Sequence, residues 1–146
     1  MGGEGDDTIT GGNGNDTVRG QGGADVIAGG IGDDQLFGGT GADVVDGGAG
    51  DDTIDGFTGN DTLTGGDGSD ILTGSRGSDT LRGQVGDDIL FGGQGNDFLF
   101  GGLGIDELNG GLGSDALDGG GNAPDVCNGS SGVDTSVRCE VDINVP

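Results

Sequence analysis

Thirteen aspartates recur every nine residues: Asp7, Asp16, Asp25, Asp34, Asp43, Asp52, Asp61, Asp70, Asp79, Asp88, Asp97, Asp106 and Asp115. An ionised carboxylate accepts hydrogen bonds and donates none. A regular row of such hard oxygen donors suits a divalent, oxygen-seeking cation. A single Asp in a glycine-rich turn is commonly just a turn former. Thirteen in one phase, each beside constant glycines, go beyond turn formation. The chain has no His and no Lys; Arg19, Arg76, Arg82 and Arg138 are its only side-chain bases. Ser-His-Asp, Cys-His and Lys-bearing phosphate-loop chemistry is therefore excluded, and the chain is not expected to be an enzyme. Zinc, which prefers imidazole and thiolate, finds neither in the repeats.

The aspartates must be positioned by the elements around them. Each is the sixth residue of a unit Gly-Gly-x-Gly-x-Asp-x-aliphatic-x that runs without insertion from Gly2 to Asp118. Positions one and four are always Gly. Position two is Gly except at Gln21, Phe57, Ser75 and Gln84, and position eight is Ile, Val or Leu from Ile9 to Leu117. Repeated Gly marks backbone that needs positive φ or close approach of another chain. One aliphatic between mostly polar neighbours reads as a short strand with one inward side chain. Each unit thus reads as a six-residue turn followed by a three-residue strand. If successive units alternate sides, 18 residues make one coil, and loops one coil apart stack at about 4.8 Å. One row then holds Asp7, Asp25, Asp43, Asp61, Asp79, Asp97 and Asp115; the other holds Asp16, Asp34, Asp52, Asp70, Asp88 and Asp106. Without a cation each row is a ladder of like charges at close range.

The unit resembles the RTX, or hemolysin-type, calcium-binding nonapeptide repeat, and the resemblance covers residues 2–118. It implies an all-β chain, a right-handed parallel β-roll with calcium between stacked loops. Calcium accepts six to eight oxygens in tolerant geometry, whereas magnesium holds to a tighter octahedron and keeps its waters. The family pattern further implies that each carboxylate is shared between neighbouring ions. Carbonyls of positions two and four would come from one loop, and of positions one and three from the next. A central site would then join Asp43 and Asp61 to the carbonyls of Gly39, Gly41, Gly56 and Thr58. The same pattern assigns position-two carbonyls of Gly12, Gly30, Gly48, Gly66, Gly93 and Gly102. At position four it assigns those of Gly14, Gly32, Gly50, Gly59, Gly68, Gly77, Gly86, Gly95 and Gly104. Seven loops in one row and six in the other leave six and five gaps, hence about eleven interior ions. Their charge of about +22 nearly balances the chain's -23. Asp6, Asp33, Asp51 and Asp87, at position five, read as solvated loop charges.

Composition points the same way. A charge of -23 argues against nucleic acid, which needs a basic patch, and against anionic membrane surfaces. No stretch approaches the roughly 20 apolar residues of a membrane span, and no signal-peptide pattern opens the chain. Met1 directly precedes a repeat in register, so a longer natural chain upstream is expected. Few aromatics, 41 Gly and high charge would ordinarily signal disorder. One buried aliphatic per nine residues is a thin core, so a cation that neutralises the loops is required for folding.

Periodicity breaks at Gly119, which suggests two regions: the array at 2–118 and degenerate coils with a closing cap at 119–146. Asp125 and Asp134 stand where further, weaker sites would fall. Cys127 and Cys139, twelve residues apart, read as a disulfide in an extracellular-type domain, against the alternative of two unrelated thiols. The resemblance implies a secreted or cell-surface protein of bacterial type, although cysteines are unusual in RTX proteins and set this chain apart. The function expected is a calcium-binding structural module that folds outside the cell. Any protease or lipase activity of the kind RTX repeats often accompany would lie upstream. The alternative is a surface-recognition module for a protein or, less in keeping with its broken Thr and Asn rows, ice. Outward Ile71, Ile89, Phe91, Phe98 and Phe100 are then the expected self-association patch.

Overall fold

A computed structural model describes residues 1–121, 123–139 and 141–143. The nine-residue unit becomes half of an 18-residue coil, and every strand pairs in parallel with the strand one coil away. One sheet holds, in order, β1 (Gly3–Glu4), β3 (Thr17–Gly22), β5 (Gln35–Thr40), β7 (Thr53–Thr58), β9 (Ile71–Arg76), β11 (Ile89–Gln94), β13 (Glu107–Leu112), β15 (Val126–Asn128) and β17 (Val141–Ile143). The other holds β2 (Thr8–Asn13), β4 (Val26–Ile31), β6 (Val44–Ala49), β8 (Thr62–Asp67), β10 (Thr80–Val85), β12 (Phe98–Leu103), β14 (Ala116–Gly121) and β16 (Thr135–Val137). The described residues contain no helix. The architecture is a two-sheet parallel β-solenoid.

The strands are longer than the expected three residues. From β2 to β14 each runs six residues, from position seven through position three of the next unit. The reason lies at position one, where the chain turns inward. A Cβ built on Gly20 would meet the Asp25 carboxylate and lie 2.6 Å from the Gly38 carbonyl oxygen. Only Gly lets the strand continue there, so the turn shrinks to positions four, five and six.

The core is a double ladder of position-eight side chains. Val18, Leu36, Ile54, Leu72, Leu90 and Leu108 line one sheet; Ile27, Val45, Leu63, Leu81, Leu99 and Leu117 line the other. Cys127 continues the first ladder in register with Leu108. Ile9, in the first coil, is only partly buried. Of the region expected at 119–146, residues 122, 140 and 144–146 lie outside the described residues. The rest of it stacks on as short β15, β16 and β17, closed by a Cys127–Cys139 disulfide with Cα atoms 5.9 Å apart.

Candidate metal-binding ladders

The loops stack as the 18-residue period requires, and backbone hydrogen bonds fix the carboxylates. The Asp43 N–H donates to Asp61 Oδ1 at 2.9 Å, and the Asp61 N–H donates to Asp79 Oδ1 at 2.8 Å. The pattern holds along both rows, from Asp7 to Asp25 and from Asp16 to Asp34 onward. It also continues past the array. Asp106 and Asp115 donate to Asp125 and Asp134 at 2.9 and 3.0 Å, the extra residue being absorbed as a 19-residue step.

One oxygen of each carboxylate is thereby used, and the other is left over. Oδ2 of Asp16, of Asp25 through Asp115 at every repeat, and of Asp134 is buried without a hydrogen-bond partner. Ionised carboxylates buried in this way are costly unless a cation compensates them. Burial, followed by repulsion from neighbouring aspartates and opposed by the backbone hydrogen bond, raises Asp61 and Asp88 to about 7. Burial likewise lifts Asp70, Asp97 and Asp106 to about 6. Asp43, Asp52, Asp79 and Asp115 are raised for the same first cause.

Backbone carbonyls enter the same gaps from both sides. A Cβ on Gly59 would overlap the Gly41 carbonyl oxygen one coil back, and a Cβ on Gly39 would overlap that of Gln21. Carbonyls of positions two and four thus point toward the following coil. Position-one carbonyls point back, as Gly38 does toward Gly20. The position-three carbonyl of Thr58 already accepts the Gly41 N–H at 2.9 Å, leaving a second lone pair. The assigned glycines at positions two and four have positive φ throughout, for example Gly39 at 121° and Gly41 at 132°. This is backbone that aims carbonyls across a gap while excluding a side chain from it. No group of three or more His, Cys, Asp or Glu side chains placed to hold one metal ion occurs among the described residues. The arrangement instead pairs two carboxylates with carbonyls, a wholly oxygen donor set that suits calcium and gives zinc nothing soft to hold.

Two other expectations change. Position five is exposed but is not simply solvated. Asp6, Asp33, Asp51 and Asp87 accept the position-five N–H of the next coil at 2.8 to 3.1 Å. Asn15, Asn60 and Asn96 do the same. This second ladder runs opposite in sense to the first. Its signal was in the sequence, since ten of thirteen units carry Asp, Asn or Ser there. The outward apolar residues do not form one patch. Ile71, Ile89 and Phe91 lie on the sheet of β9 and β11, and Phe98 and Phe100 on that of β12. Adjacent units face opposite ways, so residues nine apart cannot share a face. The strand of Phe98 and Phe100 also carries exposed Leu103, which pairs with exposed Val85 on β10, and Arg82 stacks 5.3 Å over Phe100.

A parallel solenoid with aspartate ladders between stacked glycine turns defines a class of metal-binding roll. The family described as RTX calcium-binding nonapeptide repeat (4 copies) matches residues 1–36, 37–72, 64–99, 91–123 and 100–135. The chain belongs to that calcium-binding family, whose repeats are typical of secreted bacterial proteins. No curated protein matches the chain.

Proposed function

We propose that this chain is a calcium-responsive structural module that is largely unfolded without the ion and becomes a rigid roll outside the cell. The buried, unpartnered Oδ2 atoms carry this reading. They stand in register between carbonyl-bearing turns, and a shared divalent ion removes both the burial cost and the like-charge repulsion. The ligands are the thirteen repeat aspartates with carbonyls of positions two and four from one loop and one and three from the next. A central ion is held by Asp43, Asp61, Gly39, Gly41, Gly56 and Thr58. Residues 2–118 act as the responsive array, and the segment from 119 onward closes it. Because metal binding and folding are one event, affinity for calcium is folding free energy. Equilibrium dialysis with radioactive calcium tests the reading. About eleven or more ions per chain support it, by the gap count of one ion between stacked loops. One or two ions would refute it.

One observation favours a second reading. Val85, Phe98, Phe100 and Leu103 form an apolar strip on one outward sheet face, each more than a third exposed. Such a strip suits recognition of a protein surface by the calcium-rigidified roll. Sedimentation velocity in calcium tests the simplest case: Phe98→Glu abolishes any self-association of the unaltered chain, or the strip is not its cause.

A further inference from the structure

We propose that the outward face of the sheet containing β2 to β14 is a self-complementary dimer interface, on which a second copy of this chain docks face to face with its coils in reverse order. The inference rests on the apolar-strip reading above and names the partner. β8 is the middle strand of the run β4, β6, β8, β10 and β12. The strand register places Val26, Val44, Thr62, Thr80 and Phe98 in one outward column, and Ala28, Asp46, Thr64, Arg82 and Phe100 in the next. The two columns match in chemistry on either side of β8. Two strands before it stand Val26 and Ile31, 47% and 61% exposed; two strands after it stand Phe98 and Leu103, 53% and 51% exposed. One strand before β8 is exposed Asp46, and one strand after it is exposed Arg82.

A two-fold axis along β8, between two such faces, reverses the order of coils and keeps the strand direction. β4 then meets β12, and β6 meets β10. Val26 faces Phe98 of the second copy, and the small Ala28 faces the bulky Phe100. Asp46 faces Arg82 and, by symmetry, Arg82 faces Asp46, which gives two ion pairs. The Arg82 guanidinium is kept on this face by its stacking over Phe100. The other face-to-face two-fold, along the stack of coils, lays each strand on itself. It sets Asp46 against Asp46 and Arg82 against Arg82, and like charges so placed repel. Charge therefore selects the reversed arrangement. From β2 to β14 the sheet has strands of six residues. At about 4.8 Å between strands and about 3.3 Å per residue it offers roughly 650 Å² per copy, near the roughly 800 Å² per partner of a standard interface. Two chains of charge -23 repel each other until bound calcium neutralises them, so docking follows folding.

The test is sedimentation velocity of the full chain in calcium, with Asp46→Arg and Arg82→Asp each alone and then mixed. Both positions are exposed and lie outside the aspartate ladders, and circular dichroism checks that each variant folds. The unaltered chain should dimerise. Each variant alone sets like charges together and should weaken the dimer roughly tenfold or more. An equal mixture of the two restores both ion pairs and should dimerise as the unaltered chain does. Weakening without rescue in the mixture overturns the inference. An unaltered chain that stays monomeric at every accessible concentration also overturns it, and leaves the strip to a different protein. A dimer indifferent to both charge changes overturns the arrangement as well. In that case loss of the dimer in Phe98→Glu keeps the strip reading, and its persistence refutes the strip reading too.

Discussion

Leu72→Ala measures how many ions act together. Leu72 is fully buried in the middle of its ladder, between Ile54 and Leu90. Coils on either side fix its surroundings, so the space left by the leucine cannot close easily. Such truncations cost about 2–5 kcal/mol, and about 3 kcal/mol is a fair central value. If folding and the binding of about eleven ions are one transition, each tenfold rise in calcium adds about 1.4 kcal/mol per ion. The lost stability is then recovered by raising calcium about 1.6-fold. If instead only about two ions fill with each independent folding unit, the midpoint moves about 13-fold. The assay is a calcium titration followed by circular dichroism for the unaltered chain and the variant. Nearest-neighbour stacking favours the small shift with a steep transition. A shift near tenfold on a shallow curve would refute the idea that the roll fills as one unit. An unmoved midpoint would refute the assignment of Leu72 to the core.

Further outcomes follow from the same geometry. Asp61, Asp70, Asp88, Asp97 and Asp106 stand at about 6 to 7 in the metal-free fold, above the ordinary 3.8. That fold therefore binds more protons than the unfolded chain between about pH 4 and 7, so its stability rises as pH falls through this window. Circular dichroism in chelator between pH 7.5 and 4.5 should show sheet increasing on acidification. Reduction with dithiothreitol should destabilise the calcium-loaded roll by about 3 kcal/mol on the loop-closure argument for a ring of this size, read as a lower thermal midpoint. Gly59→Ala places a methyl group against the Gly41 carbonyl at a φ of 147°. Gly-to-Ala changes stabilise by up to about 1 kcal/mol where the backbone suits alanine; this one should instead destabilise the roll and remove calcium from that gap, read by counting bound ions.

Much of the roll was legible because its constraints repeat. Asp at position six and an aliphatic at position eight announced the ladders and the core. The length of the strands was not legible. The glycine pair at positions one and two looks like a turn until Gly20 is seen pressed between the Asp25 carboxylate and the Gly38 carbonyl. The position-five ladder was hidden for a different reason, since Asp, Asn and Ser are interchangeable acceptors for one N–H and do not form a constant column. The apolar patch failed on topology. Phe91 and Phe98 are close in sequence but belong to strands of opposite sheets. At the end of the chain, Ser136 and Arg138 stand where the motif has an aliphatic residue and a glycine. Yet the Arg138 carbonyl lies 2.5 Å from a Cβ built on Gly119, the place Gly38 takes over Gly20. Backbone geometry had been preserved where residue identity had not.

The central claim is that calcium and folding are a single event, and far-UV circular dichroism of the purified chain during a calcium titration, with magnesium as control, tests it most directly. A sharp passage from coil to sheet with calcium alone is the predicted result. A full sheet spectrum already present in excess chelator at neutral pH would contradict it.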